Sequence, residues 1–249
     1  MNKGIVFFTD NQLNIKIAHA VQKQLKNIGQ ERDIPIVSSS LKKMAFGNKN
    51  VHFPHLKKGY LTMFKQILGG LENSSADIIF LCEHDVLYHP SHFDFIPPRD
   101  NVYHYNVNVW KLRLSDGHAI TYNNCKQVSG LCAYRQLLIG HYRKRIAKIL
   151  QNQKDLLARG ERLKNEGFSK NMGYEPGLHS AGKGVDDYKT EAWLSRFPNV
   201  DIRHDANLTK SRWSPTEFHN KSNASGWREA DVDHIPGWEN IRMLLAIKR

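Results

Sequence analysis

The chain lacks most of the features that would fix its class on their own. Its 249 residues include three cysteines, Cys82, Cys125 and Cys132. An odd count without a CxxC pair argues against a disulfide framework and against a structural zinc knot. Cys82 sits in an apolar run and reads as a small buried hydrophobe. No apolar run approaches the roughly 20 residues that cross a bilayer. The N-terminus, MNKGIVFFTDN, has only a short apolar patch closed by Asp10. It has neither the long apolar region nor the small-residue cleavage site of a signal peptide, so a cytoplasmic protein is the expectation. No GxGxxG follows the first predicted strand and no GxxxxGK[ST] occurs, which argues against a dinucleotide fold and a P-loop. Internal repeats and low-complexity tracts are absent as well. Acidic residues are scarce: 24 Asp and Glu face 36 Lys and Arg, for a net charge of +12. That balance suits a polyanion such as DNA or RNA, an acidic glycan or a phosphate-rich small ligand, with plain solubility as the alternative.

What is present has a clear order. Gly4–Phe8 is a continuous apolar run, the mark of a strand covered on both faces. Thr9, Asp10 and Asn11 end it, and any of them can cap the next helix. Leu13, Ile17, Ala20, Val21, Leu25 and Ile28 recur at helical spacing. Ile34–Val37 predicts a second strand, closed by Ser38, Ser39 and Ser40. A polar loop follows, then a helix over Gly59–Leu71 and a third strand over Asp77–Cys82. This β-α-β-α-β order predicts a doubly wound, mostly parallel sheet. Such sheets bind ligands at the carboxyl ends of their strands. The groups Thr9-Asp10-Asn11, Ser38-Ser39-Ser40 and Glu83-His84-Asp85 should therefore converge on one crevice.

The middle of the chain changes character. Val102–Leu112 alternates, with Tyr103, Tyr105, Val107 and Val109 on one face and His104, Asn106 and Asn108 on the other. That pattern predicts one antiparallel or edge strand, paired with Ala119–Tyr122 across the turn Ser115-Asp116-Gly117. Residues 136–165 read as one or two helices rich in Arg and Lys, and 170–183 as a glycine-rich loop. Val185–Phe197 reads as a last core helix and Asn199–Arg203 as a short strand. From Ser211 onward the periodicity fades, which predicts an irregular cover over the crevice. Trp213, Trp227 and Trp238 in that tail are anchors or a stacking platform for a sugar or base.

Glu83 and Asp85 carry the most pointed chemistry. On an extended chain alternate side chains point the same way, so both carboxylates can face one divalent cation of the Mg²⁺ or Mn²⁺ type. A cation there can bridge a diphosphate and offset the charge of a departing phosphate. An isolated ExD is common, and a solvated loop end explains it equally well. Its position after the third strand of the β-α-β-α-β unit gives it weight. His84, between the carboxylates, points away from them toward the sheet, where packing is its first role.

This layout resembles the GT-A nucleotide-diphospho-sugar glycosyltransferases, and glycosyltransferase family 2 most in its order of elements. The resemblance runs from about Lys3 to His204. It implies one α/β domain over 1–249, with a nucleotide-sugar-binding half (1–100), an acceptor and catalytic half (101–210) that includes an antiparallel ribbon, and a cover segment (211–249). Glu83-His84-Asp85 stands where the family carries DxD, with Glu in place of the first Asp. Asp85 is thereby implied as a metal ligand and Glu83 as a metal or donor contact. Gln127-Val-Ser-Gly-Leu-Cys-Ala-Tyr-Arg135 resembles the small-residue turn that lines the donor-sugar and acceptor pocket, which implies Ser129 and Gly130. An inverting transfer in this family takes its base from an acidic residue at the start of a late helix, which a retaining transfer does not need there. Asp186 and Asp187 match that place, with Glu191 as competitor. His204, after the last strand, matches a histidine that many of these enzymes give to the metal. Donor contacts implied at the strand ends are Thr9, Asp10, Asn11 and Lys58, with His84 beside them.

The implied activity is a metal-dependent hexosyl or pentosyl transfer, with Mn²⁺ or Mg²⁺, from a nucleotide-diphosphate sugar such as a UDP-sugar to a hydroxyl. The acceptor is a glycan, a lipid-linked saccharide, a protein or DNA, with the positive charge favouring a polyanion such as DNA bearing a hydroxymethylated base. The basic segment 141–164, from His141-Tyr-Arg-Lys-Arg145 through Lys148, Lys154, Arg159, Arg162 and Lys164, is a solvated helix face or a set of phosphate contacts. Two other readings remain. One is a metal-dependent nucleotidyltransferase, disfavoured because no glycine-rich basic loop follows the first strand. The other is a non-catalytic nucleic-acid-binding protein resting on charge alone. Asp10, Asn11, Asp186 and Asp187 also have a plain role as helix caps.

Overall fold

The structure is a computed structural model that describes residues 1–161, 172–178, 184–204 and 224–247. The first strand, β1 (Lys3–Thr9), is buried from Gly4 onward. Its continuous apolar run is divided between two faces. Ile5 and Phe7 join one core cluster, and Val6 and Phe8 join the other. Helix α1 (Ile15–Glu31) packs Ile17, Val21 and Leu25 into the first cluster. Its cap is Asn14, whose Oδ1 accepts from the Lys16 N–H at 2.9 Å, so Thr9, Asp10 and Asn11 do not cap it.

Strand β2 (Ile36–Ser40) includes the three serines expected to close it, and all five residues are buried. Buried hydroxyls are tolerated when they find an acceptor. The Ser38 and Ser40 hydroxyls donate to the Phe46 and Lys42 carbonyls, each at 2.6 Å. The polar loop then holds a strand that the hydrophobic pattern misses, β3 (Lys49–His52). Asn50 ties it down by donating to Ser38 Oγ and Ser40 Oγ. Helix α2 (Tyr60–Glu72) follows. A Cβ on its Gly70 would lie 2.5 Å from Val6 Cγ1, so this glycine lets the helix lie directly on β1.

Strands β4 (Ile78–Glu83) and β5 (Val86–Leu87) flank the turn at His84-Asp85. The alternating 102–112 segment is two strands rather than one, β6 (Val102–Asn106) and β7 (Val109–Arg113), which belong to different sheets. The polar face of β6 is buried too, because Asn106 donates to His92 Nδ1 and Ser195 Oγ at 2.9 Å each. β8 (His118–Thr121) pairs antiparallel with β7 through the expected turn, where Gly117 has φ +80. β9 (Leu131–Tyr134) leads into α3 (Arg135–Ala158).

The core helix expected over Val185–Phe197 is instead β10 (Lys189–Trp193), an edge strand parallel to β6. Glu191 and Ala192 favour helix, but tertiary pairing overrides propensity. β6 offers an open edge, and Trp193 stacks on Phe95 at 4.3 Å and 5°. β11 (Asn199–Arg203) forms as expected. The described part of the tail adds β12 (Arg228–Asp231) to the edge of β8 and a helical turn, α4 (Ile241–Leu244). It buries Val232, Ile235, Trp238, Ile241, Leu245 and Ile247 in the first core cluster.

Among the described residues the strands form two sheets. The larger runs β10-β6-β9-β4-β1-β2-β3, parallel except for β9, which opposes both neighbours. The smaller runs β12-β8-β7-β11-β5. Helix α1 and the small sheet cover one face of the large sheet, and α2 and α3 cover the other. The fold is therefore α/β, with a mostly parallel central sheet flanked by helices. The ends of β1, β2 and β4 lie level, since Thr9 faces Ser40 and Phe8 faces Glu83. No helix among the described residues is long and apolar enough to cross a membrane.

Candidate active site

A cavity of about 320 Å³ opens at that level. Among the described residues its walls come from five places: the end of β1, the start of α2, the β4–β5 turn, the small sheet with the adjoining 124–128 segment, and the 175–178 segment. On the first side stand Thr9, Asp10 and Lys58. Lys58 Nζ lies 2.9 Å from Asp10 Oδ2. Burial works against the Asp10 carboxylate, but the Lys58 hydrogen bond and the nearby His84 outweigh it and hold its pKa below the usual carboxylate range. Gln66 of α2 donates to the Thr9 carbonyl at 2.7 Å and fixes the strand end against the helix.

The floor is Glu83, His84 and Asp85. His84 does not turn toward the sheet. It lines the cavity, with Nδ1 at 2.6 Å from Thr9 Oγ1. Asp85 is buried and its carbonyl accepts from the Ile202 N–H at 2.8 Å. That bond brings the end of β11 alongside, so His204 Nε2 lies 3.5 Å from Asp85 Oδ2. Burial opposes the Asp85 carboxylate, but His204, His84 and Arg203 together keep its pKa below the ordinary value. Glu83 is in the opposite state. Burial, then Asp85, Asp201 and Glu175, push its pKa well above the usual range, and Arg203 offsets this in part.

The far wall carries Lys111, Tyr122, Gln127, Asp201 and Arg203. Both Asp201 oxygens are occupied: Arg203 reaches them at 2.9 and 3.2 Å, and Gln127 donates to Oδ2 at 2.9 Å. Lys111 is buried and donates to the Tyr122 hydroxyl at 2.7 Å. Burial lowers its pKa, with Cys125 and Asp201 opposing. Glu175 and Leu178 complete the lining.

The mixed carboxylate and imidazole donors suit a divalent cation on the borderline side of the Mg²⁺–Mn²⁺ range. Asp85 offers carboxylate oxygen and His204 imidazole nitrogen, and the crowding of Glu83 by three carboxylates is what a cation would relieve. Among the described residues no three His, Cys, Asp or Glu side chains gather closely enough to hold an ion by themselves. Magnesium-type sites commonly take one or two protein carboxylates and complete their shell with substrate phosphates and water. Asp85 and His204 fit such a shared site.

The remaining expected residues are placed differently. Asn11 is absent from the cavity lining. It adopts φ 59, and its Oδ1 accepts from the Leu41 and Lys42 N–H groups at 2.8 Å, pinning the loop after β2. Ser129 and Gly130 sit behind the wall that Gln127 and Val128 form. A Cβ on Gly130 would meet the Asn106 carbonyl at 2.7 Å. Asp186 is bound by Tyr103 at 2.9 Å and His141 at 2.7 Å. Asp187 is exposed, and Glu191 pairs with Arg99 on the edge strand. None of these three lines the cavity. The basic helix splits: Arg145 and His141 are buried, whereas Lys144, Lys148, Lys154 and Arg159 are exposed. Arg162 and Lys164 lie outside the described residues, as does Trp213. Trp238 is a buried anchor donating to the Pro198 carbonyl, and Trp227 lies parallel to Tyr122 at 6.3 Å. Of the described tail, no residue lines the cavity.

Lys111, Tyr122, Glu175, Asp201 and Arg203 line the cavity without having been expected there, and of the Gln127–Arg135 turn it is Gln127 and Val128 that reach it rather than Ser129 and Gly130. Asp201 and Arg203 had a signal in the alternation Val200-Asp201-Ile202-Arg203, which puts both polar side chains on one face of a strand already predicted. Glu175 had none, since it lies in a Gly- and Pro-bearing loop without period.

No protein-family model matches the chain, and a search of curated proteins finds no match. Among solved structures, one similar chain is a glycosyltransferase involved in the glycosylation of the major capsid of PBCV-1. It shares 9% identity at a TM-score of 0.40, over 63% of this chain and 70% of that one. Another is a Drosophila beta-1,4-galactosyltransferase 7 mutant in complex with manganese, UDP-Gal and xylobiose. It shares 12% identity at a TM-score of 0.36, over 61% of this chain and 62% of that one. At such values neither transfers a residue role to this chain.

Proposed function

We propose that the chain is a metal-dependent glycosyltransferase of GT-A type, moving a sugar from a nucleotide-diphosphate donor to a hydroxyl acceptor. The observation that supports it best is the meeting of Asp85 and His204 at 3.5 Å in a cavity that also receives Thr9, Asp10 and Lys58. Strand ends of a parallel sheet are where nucleotides bind. Polar groups on three strand ends, with a carboxylate–imidazole pair at the centre, match a nucleoside diphosphate better than a plain protein interface.

In this reading Asp10, His84 and Lys58 orient the nucleoside end of the donor. Asp85 and His204 would hold Mn²⁺ or Mg²⁺, and Glu83 would contact the donor. The bound ion supplies positive charge against the diphosphate leaving group. Arg203 and Lys111 add fixed cationic charge on the opposite wall, where preorganised groups act without reorganisation cost. The exposed Lys144, Lys148, Lys154 and Arg159 favour an anionic acceptor, either a glycan or DNA carrying a hydroxylated base.

The test is a thermal-shift and donor-hydrolysis panel of UDP-, GDP- and CMP-sugars with Mn²⁺. Selective stabilisation by one nucleotide sugar, lost in Asp85→Asn, is the expected outcome. No response to any nucleotide sugar, together with tight salt-sensitive DNA binding, would replace this reading with that of a nucleic-acid-binding protein.

A further inference from the structure

Among the described residues five carboxylates line the cavity, and they differ in how they are held. Asp10 is held by Lys58 and by the Gln12 N–H, and both Asp201 oxygens are taken by Arg203 and Gln127. Asp85 faces His204, and Glu83 is pressed by its acidic neighbours. Glu175 differs. Its Oε2 accepts from Arg145 Nη1 at 3.0 Å, and its Oε1 has no hydrogen bond among the described residues. It is 4% exposed overall, yet it forms part of the cavity wall.

The support behind Glu175 is elaborate for a loop residue. Arg145 is fully buried, its guanidinium lying 3.7 Å over the Phe64 ring. Its Nε donates to the Met172 carbonyl at 3.0 Å. Tyr105 donates to the Pro176 carbonyl at 2.8 Å, and Leu178 N–H to the Glu175 carbonyl at 2.9 Å. Burying an arginine–carboxylate pair is costly and rarely improves on an apolar pair of the same volume. A buried pair whose acidic residue also lines a cavity can serve the cavity as well as the fold.

We propose that Glu175 is the catalytic base of the transfer, with Arg145 as its positioning residue. The inference rests on the glycosyltransferase reading. The acceptor oxygen forms a bond to the anomeric carbon of the donor sugar. The bond from that carbon to the diphosphate breaks, and its electron pair leaves on the diphosphate. Glu175 takes the acceptor hydroxyl proton. With water as acceptor the same step yields free sugar and nucleoside diphosphate, and Glu175 returns its proton to solvent. The carboxylates at 186, 187 and 191 do not line the cavity, and Asp186 and Glu191 are paired elsewhere.

The test uses water as the acceptor, Mn²⁺, and the nucleotide sugar that most stabilises wild type. Glu175→Gln should slow donor hydrolysis by about 100-fold or more, a typical general-base contribution. Its affinity for the nucleoside diphosphate, by titration calorimetry, should stay within about twofold, since the loss is confined to the transition state. Formate should restore part of the rate in Glu175→Ala, which a purely structural role would not allow. Glu175→Asp keeps the charge for Arg145 while withdrawing the carboxylate, and should be slow with a wild-type melting temperature. Wild-type rates in Glu175→Asp or Glu175→Gln overturn the proposal. So does an equal loss of affinity and rate, which makes Glu175 a donor contact. Wild type that binds a nucleotide sugar yet never hydrolyses it also counts against Glu175, because a base at the cavity wall activates water too. A wild type that binds no nucleotide sugar removes the proposed function itself.

Discussion

Acid should unfold this protein earlier than its carboxylates alone would dictate, and His92 is the reason. It lies in the 3₁₀ turn Pro90–Asp94 after β5, with no exposed surface. Its Nδ1 accepts from Asn106 at 2.9 Å and from Asn199 at 3.2 Å. Its Nε2 is buried without a partner among the described residues. Protonation would therefore break two hydrogen bonds and bury a cation facing no acceptor. Burial drops its pKa from 6.5 to about 3. The folded pKa lies below the unfolded one, so the stability it confers is complete above about pH 6.5 and is lost as pH falls toward 3. Each pH unit in that window costs about 1.4 kcal/mol, or about 2 kcal/mol by pH 5. Urea unfolding at about pH 7.5 and about pH 5 measures the loss before most carboxylates titrate. His89, His104 and His141 also have lowered pKa values, with burial the first cause of each, and they shift stability in the same direction. The comparison with His92→Gln isolates the one residue, because a glutamine oxygen can still accept from the two asparagines. Its stability should fall by about 2 kcal/mol less than wild type over the same interval. Equal pH slopes in the two proteins would refute the reasoning.

Arg145→Met leaves Glu175 buried beside an apolar side chain, and should cost about 3–5 kcal/mol in a denaturant titration. Gly70→Ala places a methyl against Val6 and should lift α2 from β1, costing about 1–3 kcal/mol in chemical denaturation. Replacing Lys144, Lys148 and Lys154 together by glutamate should weaken binding to a DNA duplex and flatten its salt dependence, while leaving donor hydrolysis unchanged.

The sheet core was readable because its apolar runs are continuous: Gly4–Phe8 and Ile78–Cys82 are sandwiched between layers, and no other environment suits them. The site floor was readable for a related reason. Of the polar residues that end such strands, Thr9, Asp10, Glu83, His84 and Asp85 line the crevice, whereas Asn11, Ser38 and Ser40 turn to nearby backbone and do not. The failures came where tertiary partners decide. β3 is polar and forms because β2 offers an edge and Asn50 finds two serines. β10 contains helix formers and still becomes a strand on the edge of β6. The pair Arg145–Glu175 joins a basic helix to a glycine-bearing loop, and nothing local in either segment announces the other. His141 and Arg145 looked solvated because charge in a helix usually is, yet α3 turns both inward.

The central claim is that Asp85 and His204 hold a cation in common with a nucleoside diphosphate. The most direct measurement is the electron paramagnetic resonance signal of Mn²⁺ titrated with protein, with and without UDP. Two protein donors should bind the ion weakly alone and much more tightly once the diphosphate completes its shell. UDP and Mn²⁺ should strengthen each other's binding, and Asp85→Asn and His204→Ala should each abolish the coupling. UDP binding that is indifferent to Mn²⁺, or coupling that survives both substitutions, would contradict it.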